Sequence, residues 1–435
     1  MKQLAIVASL LVLATRAGAE NWPQWRGPTR DGISREQNLP TRWSADQNIR
    51  WKAPLEGLGT STPVVWDELV FLTSQIGVGP LDRRGAEFPE AVAARDYAGA
   101  SGVTFIVHAI HRDDGRAVWQ YRFDAAEPKN NLPSVHPKHN LASPSIVTDG
   151  ERVYAWMGTG QLVALTMDGK LVWERHLGRD YGPFQVMWGH GSSPALYGES
   201  IILLCDHPSG AYLVALDVST GKEMWKVDRG EGIRSYSTPF VLPERQELIV
   251  NSSHRIESYD PASGELLWHA GERVTLAIGM PVYADGVLYA SRGYSSGPYS
   301  AIRLGGRGDI NDSHVKWHVP TRAPYISSLL FYDGLVFMAT ESGIATVVDP
   351  QTGEAVWRER LGGAFTASPV AGDGKVYLMN EGGETFVFAT GAPPTLLAKN
   401  SLEERTLASP AISDGTLFMR SDEHLIAIGE KLTHR

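Results

Sequence analysis

Apolar residues in this chain fall in short alternating runs separated by tight turns. Residues 141–173, LASPSIVTDGERVYAWMGTGQLVALTMDGKLVW, show the pattern best. A run over 144–148 is followed by Asp149-Gly150, a second run over 152–157, a Gly158-Thr159-Gly160 turn, a third over 161–166, Asp168-Gly169, and a last run over 170–173. Asp-Gly between alternating apolar runs is a strong hairpin signal, because two-residue hairpin turns need positive φ. The unit reads as a four-stranded antiparallel meander. One such sheet cannot bury both faces alone and needs copies of itself alongside.

The copies are present. Residues 191–225, 236–268, 279–317, 327–357, 367–400 and 408–429 repeat the pattern, and 61–119 is a first copy carrying an insertion. The inner part occurs eight times. The last copy lacks a fourth strand, and a spare one, residues 48–52 (NIRWK), precedes the first copy with Trp51 in the expected place. An N-terminal strand that completes the C-terminal unit closes a ring, and the radial arrangement of four-stranded sheets is a β-propeller. The predicted fold is all-β: an eight-bladed β-propeller of four-stranded antiparallel blades over 48–430, closed by the N-terminal strand. Trp51, Trp119, Trp173, Trp225, Trp268, Trp317 and Trp357 stand at the repeat position and are expected to pack between blades.

The remaining segments differ in composition. Residues 1–19 have Lys2, an apolar run and Ala17-Gly18-Ala19, the pattern of a secretory signal peptide. The run is too short to span a membrane. A soluble exported protein is expected, periplasmic or extracellular, and no lipid-anchor cysteine follows the cleavage site. Residues 20–47 form an N-terminal arm, expected on the outside of the ring with Trp22 and Trp25 against a blade edge. Residues 75–102 interrupt the first blade between its second and third strands. The single cysteine, Cys205, excludes a disulfide within the chain and is expected as a small core residue. Residues 305–312 (GGRGDIND) contain Arg-Gly-Asp and an acidic cluster that lacks EF-hand spacing, and read as a solvated loop.

Charge narrows the partners. With 40 Lys+Arg against 49 Asp+Glu the net charge is −9, and loss of Lys2 and Arg16 with the leader makes the remainder more acidic. That argues against nucleic acid, whose binding rests on basic neutralisation of phosphates. A monomer that binds an envelope protein or a small molecule is expected, with no membrane-spanning segment.

The turns between strands one and two and between three and four are short and share one face. The links between blades and the loops between strands two and three share the other. Function usually lives in loops held on a rigid scaffold, so the site is expected on that second face, near the axis. The links there supply the candidate ligand-binding residues: His139, Asn140, Trp188, His190, Arg234, Tyr236, Arg322 and Tyr325. His139 and His190 stand four and three residues before Ser143 and Ser193, offsets close enough for the two imidazoles to meet at the funnel mouth in a polar pocket or a metal pair. No catalytic residue and no metal ligand set is assigned, and no Ser-His-Asp arrangement or phosphate loop is readable.

Residues 215–225 (ALDVSTGKEMW), 260–268 (DPASGELLW) and 349–357 (DPQTGEAVW) resemble the pyrroloquinoline quinone (PQQ) repeat of the quinoprotein alcohol dehydrogenase-like eight-bladed propellers. The opening WPQWRGP, 22–28, is similar to exported bacterial PQQ-binding-like repeat proteins. The resemblance implies one of two functions, with a secreted polysaccharide-processing partner as a weaker third. One is a non-enzymatic binding or protein-interaction scaffold in the cell envelope, as in the lipoprotein subunit of the outer-membrane β-barrel assembly machine. The other is a PQQ- and calcium-dependent dehydrogenase oxidising alcohols or sugars. The second would bring PQQ and calcium as cofactors, held with a pair of adjacent cysteines and a Glu, Asn and Asp set that do not map onto this chain.

Overall fold

The structure, a computed structural model, describes residues 20–77, 102–127, 132, 135–136, 138–184, 186 and 188–430. The signal peptide read over 1–19 and the body of the insertion, 78–101, lie outside the described residues. Eight sheets of four consecutive antiparallel strands form the ring. Blades 1 to 7 cover 64–124, 147–176, 195–230, 240–270, 282–319, 330–360 and 370–401. Blade 8 takes three strands from 411–428, and its outermost strand is Ile49–Pro54, which pairs antiparallel with His424–Ile428. The ring closes as the sequence predicts. Innermost strands have two or three residues and outermost ones five to eight, the taper that a radial arrangement requires. Strands two and three of blade 1 run to Ile76 and start at Thr104, so the interruption begins two residues later and ends one residue later than expected.

The repeat tryptophans join neighbouring blades. The indole N–H of Trp119 donates to the Met167 carbonyl at 2.9 Å, and that of Trp173 to Val218 at 2.9 Å. Each ring lies on the glycine of the next blade's outer turn: a Cβ on Gly169 or Gly221 would sit 2.7 Å from it. Trp51 does the same at the closure, with its N–H on the Arg112 carbonyl and its ring on Gly115. Trp357 meets Phe388 of blade 7 edge-on at 5.5 Å and, among the described residues, no glycine, and Trp268 departs further. It is fully buried and donates to Glu247 at 2.7 Å. The segment expected as a solvated loop is the reason: Gly308–Asp309 adds a fifth, parallel strand to the outer edge of blade 4, and buried Ile310 anchors it.

The arm also departs from expectation. Its first half does not pack on the outside of the ring but crosses the axis on the short-turn face. Trp22 exchanges two backbone hydrogen bonds with Val65 of blade 1, and Pro23 accepts from Thr148 of blade 2. Arg26 and Arg30 donate to the carbonyls of Leu329 in blade 6 and Leu196 in blade 3. Gly32 and Ser34 pair with Ala371 of blade 7, and Glu36 accepts from Asp414 and Gly415 of blade 8. Only 39–43 lies outside, where Trp43 packs against Tyr377 and its backbone N–H donates to the Asn400 side chain at 3.0 Å. No hydrophobic period announces this path, because its contacts are single backbone bonds to strands hundreds of residues away.

Candidate functional site

Two residues before each innermost strand stand Thr62, Ser145, Ser193, Thr238, Met280, Ser328, Ser368 and Ser409. Their backbone N–H groups donate to the hydroxyl of the next blade. Thr62 bonds Ser145 at 3.0 Å, Ser145 bonds Ser193 at 2.9 Å, and Ser193 bonds Thr238 at 3.0 Å. Met280 bonds Ser328 at 3.0 Å, Ser328 bonds Ser368 at 3.0 Å, and Ser368 bonds Ser409 at 2.9 Å. Met280 has no hydroxyl to accept from Thr238. The result is a girdle of hydroxyls around the axis. Each uses a lone pair on the scaffold, and the O–H groups of Ser145, Ser193, Thr238, Ser368 and Ser409 have no acceptor among the described residues.

This girdle lines an axial cavity of about 420 Å³, within the range of roughly 300–1,000 Å³ common for small-molecule sites. Trp25, carried across the short-turn face by the arm, closes one end. Its other contacts are with the Phe240 and Met280 cluster of blades 4 and 5. The opposite end belongs to the loop-rich face and is lined by His136, Lys138, His139, Trp188, Tyr294 and Tyr325. Trp188 holds φ at +71°, a strained value for a bulky side chain, with its ring edge-on to His136 at 5.5 Å. Tyr294 and Tyr325 meet edge-to-face at 4.9 Å. Glu341 accepts the backbone N–H groups of Tyr325 and Ile326 at 2.8 and 2.6 Å and so fixes that wall. Burial raises the Glu341 carboxyl above its ordinary range. Lys138, on the link into blade 2, reaches Glu381 of blade 7 at 2.8 Å and spans the mouth. Thr366 donates to the same carboxylate at 2.5 Å.

Of the eight residues singled out from sequence, His139, Trp188, Tyr236 and Tyr325 line the cavity. Asn140 lies behind the wall and shapes a turn, accepting from Ala142 at 3.0 Å. Arg234 and Arg322 are exposed and outside the cavity; their neighbours Ile233 and Ala323 take the buried positions, which turns the arginines outward. His190 is fully buried between Trp156, 4.3 Å away, and Phe184. It does not share a pocket or a metal site with His139, because their offsets are not equivalent. Ser145, not Ser143, matches Ser193 in the girdle, so His139 stands six residues before its girdle serine and His190 three. Sequence reasoning also missed Trp25, Tyr294 and the girdle itself, whose signal is the recurring Ser/Thr beside the proline that opens most blades.

Both imidazoles are held neutral. Burial, with His136 nearby, lowers His139 to about 4 against the carbonyls of Gly189 and His190. Burial, with His207 and His139 nearby, lowers His190 to about 3. The Nε2 atom of His139 is buried and makes no hydrogen bond.

These residues do not fit PQQ with calcium. Among the described residues no carboxylate lines the cavity. Glu381 is committed to Lys138 and Thr366, and Glu341 to two backbone N–H groups. Among the described residues no cluster of three His, Cys, Asp or Glu could hold a metal ion. Cys205, the sole thiol, is buried in blade 3. Among the described residues no helix is long and apolar enough to cross a membrane.

A family profile described as outer membrane protein assembly factor BamB matches residues 104–345, 255–386 and 341–432. The outer membrane protein assembly factor BamB of Yersinia pestis is 21% identical over 322 residues, 73% of this chain and 67% of that one. The tetrathionate hydrolase of Acidithiobacillus ferrooxidans is 25% identical over 298 residues, 63% of this chain; the match spans only 53% of that enzyme. Among solved structures, the quinohemoprotein alcohol dehydrogenase of Comamonas testosteroni superposes with a TM-score of 0.64 at 13% identity, over 95% of this chain and 81% of that one. That likeness concerns the fold alone.

Proposed function

From the premise that this chain belongs to the PQQ-repeat propeller family described as outer membrane protein assembly factor BamB, we propose that it is a non-catalytic binding propeller of the cell envelope. It is exported by the leader read over 1–19 and holds an envelope protein or a small molecule at the loop-rich face. One observation carries the reading: among the described residues the axial cavity is walled by aromatic rings and hydroxyls, with His136, Lys138 and His139 and no carboxylate. Such walls can hold and orient a ligand. Among the described residues they offer no metal set, His139 is held neutral and Lys138 is paired with Glu381.

A quinoprotein dehydrogenase is the second reading, supported by fold likeness. A hydrolase of sulfur oxyanions has weaker support, from the partial match to tetrathionate hydrolase. Purified protein incubated with PQQ and calcium is expected to show no dye-linked oxidation of ethanol or glucose. It is also expected to leave tetrathionate intact. Turnover in either assay above a heat-denatured control contradicts the proposal.

A further inference from the structure

We propose that the axial cavity takes a neutral saccharide of one or two rings, seated on Trp25 and hydrogen-bonded by the hydroxyl girdle. This rests on the reading of the funnel as a binding site and names the ligand class for it.

The wall chemistry separates the candidates. Trp25, Trp188, Tyr236 and Tyr325 give aromatic planes, which suit the C–H faces of a pyranose as well as planar ligands. The girdle decides between these. Its hydroxyl oxygens accept scaffold N–H groups, so what they offer the cavity is O–H donors. A planar hydrocarbon would leave those donors unpaired, at a cost for each. A ligand that accepts hydrogen bonds along its edge while stacking by its faces is a polyol ring.

Charge removes the other classes. An anion would want a free cation in the wall, but Lys138 is paired with Glu381 at 2.8 Å. A quaternary ammonium could use the rings as a cage, but among the described residues it would meet O–H donors and a lysine with no carboxylate in the lining. The volume of about 420 Å³ leaves room for a small sugar and not for a polymer.

The floor belongs to the arm and not to a blade. Trp25 is held there by its neighbours, Trp22 on Val65, Pro23 on Thr148 and Arg26 on Leu329. Docking of the arm therefore completes the site, and Trp25 is a specificity-determining residue. The strained backbone of Trp188 at the mouth agrees with a ring held in place for a ligand.

The test titrates the full chain with cellobiose, maltose and N,N′-diacetylchitobiose, read by tryptophan fluorescence and calorimetry, with succinate and tetramethylammonium as charged probes. Saturable binding of at least one disaccharide is expected. It should weaken about tenfold or more in Trp25→Ala and in Trp188→Ala, be partly restored in Trp25→Phe, and be unchanged in Met224→Ser on the outermost strand of blade 3. Trp188→Ala keeps the test open should loss of Trp25 loosen the arm. Saccharide binding that ignores both tryptophans overturns the site. Saturable binding of succinate or tetramethylammonium alone overturns the ligand class and leaves the funnel reading intact. Silence from every probe at millimolar concentration overturns both.

Discussion

The contact between a repeat tryptophan and the glycine under it sets the tolerance at single positions. Gly169 has φ +82° and lies 2.7 Å, measured from a would-be Cβ, from the Trp119 ring; Gly286 has the same φ and open space around it. Gly286→Ala therefore carries the backbone penalty alone, about 1 kcal/mol. Gly169→Ala must also displace an indole that bonds Met167, and is expected to cost at least about 1 kcal/mol more. Urea midpoints of the two variants check the difference. His190 gives a second test at this scale. Its folded pKa, about 3, lies below the ordinary 6.5 because the ring is buried between Trp156 and Phe184 with His207 and His139 near. Above pH 6.5 both states are neutral and the residue adds no pH dependence. As pH falls below 6.5 the unfolded chain binds a proton that the folded chain refuses until about pH 3, so stability drops through that window. By pH 5 the loss is about 2 kcal/mol from this residue. His190→Phe should flatten the fall in urea midpoint between pH 7.5 and pH 5 by about one proton's worth.

At the scale of elements, most blades could be read in advance because their signals are local. Asp-Gly turns, two-residue alternation and a tryptophan at the end of all but one unit recur within about 40 residues, and the unpaired strand around Trp51 had only the last blade to complete. What could not be read depends on distant partners or on register. The path of the arm rests on single bonds such as Trp22 with Val65 and Ser34 with Ala371. The histidine pairing failed at the sequence Ser143-Pro144-Ser145, where serines flank the proline on both sides and only the inter-blade bond from Ser145 to Ser193 identifies the girdle member. The edge strand at 308–309 has too few residues to alternate. Ring closure is the most exposed element to test. Trp51 is buried against Phe418 and Gly115 while its strand comes from the far end of the chain. Trp51→Ala is expected to cost about 3–5 kcal/mol. Met224→Ser on the exposed outer strand of blade 3 should stay within about 0.5 kcal/mol. Chemical denaturation of both variants checks the contrast, and equal effects would contradict closure through this strand.

For the whole molecule, the ring and its function separate. This chain is similar to an assembly factor, to part of a hydrolase and, in fold alone, to a dehydrogenase, so function has to come from the site. Here the links of the blades converge on a closed-bottomed funnel with aromatic and hydroxyl walls, and the arm that closes it is a feature of this chain's own N-terminal segment. The acidic net charge of −9 suits an extended partner surface that is not a polyanion. The central claim is that this funnel binds without quinone chemistry. The most direct test is calorimetric titration of the full chain with PQQ in calcium buffer, followed by gel filtration of the mixture. The expected result is no saturable heat and no quinone absorbance in the protein peak. Saturable one-to-one binding, with the quinone spectrum co-eluting, would contradict it.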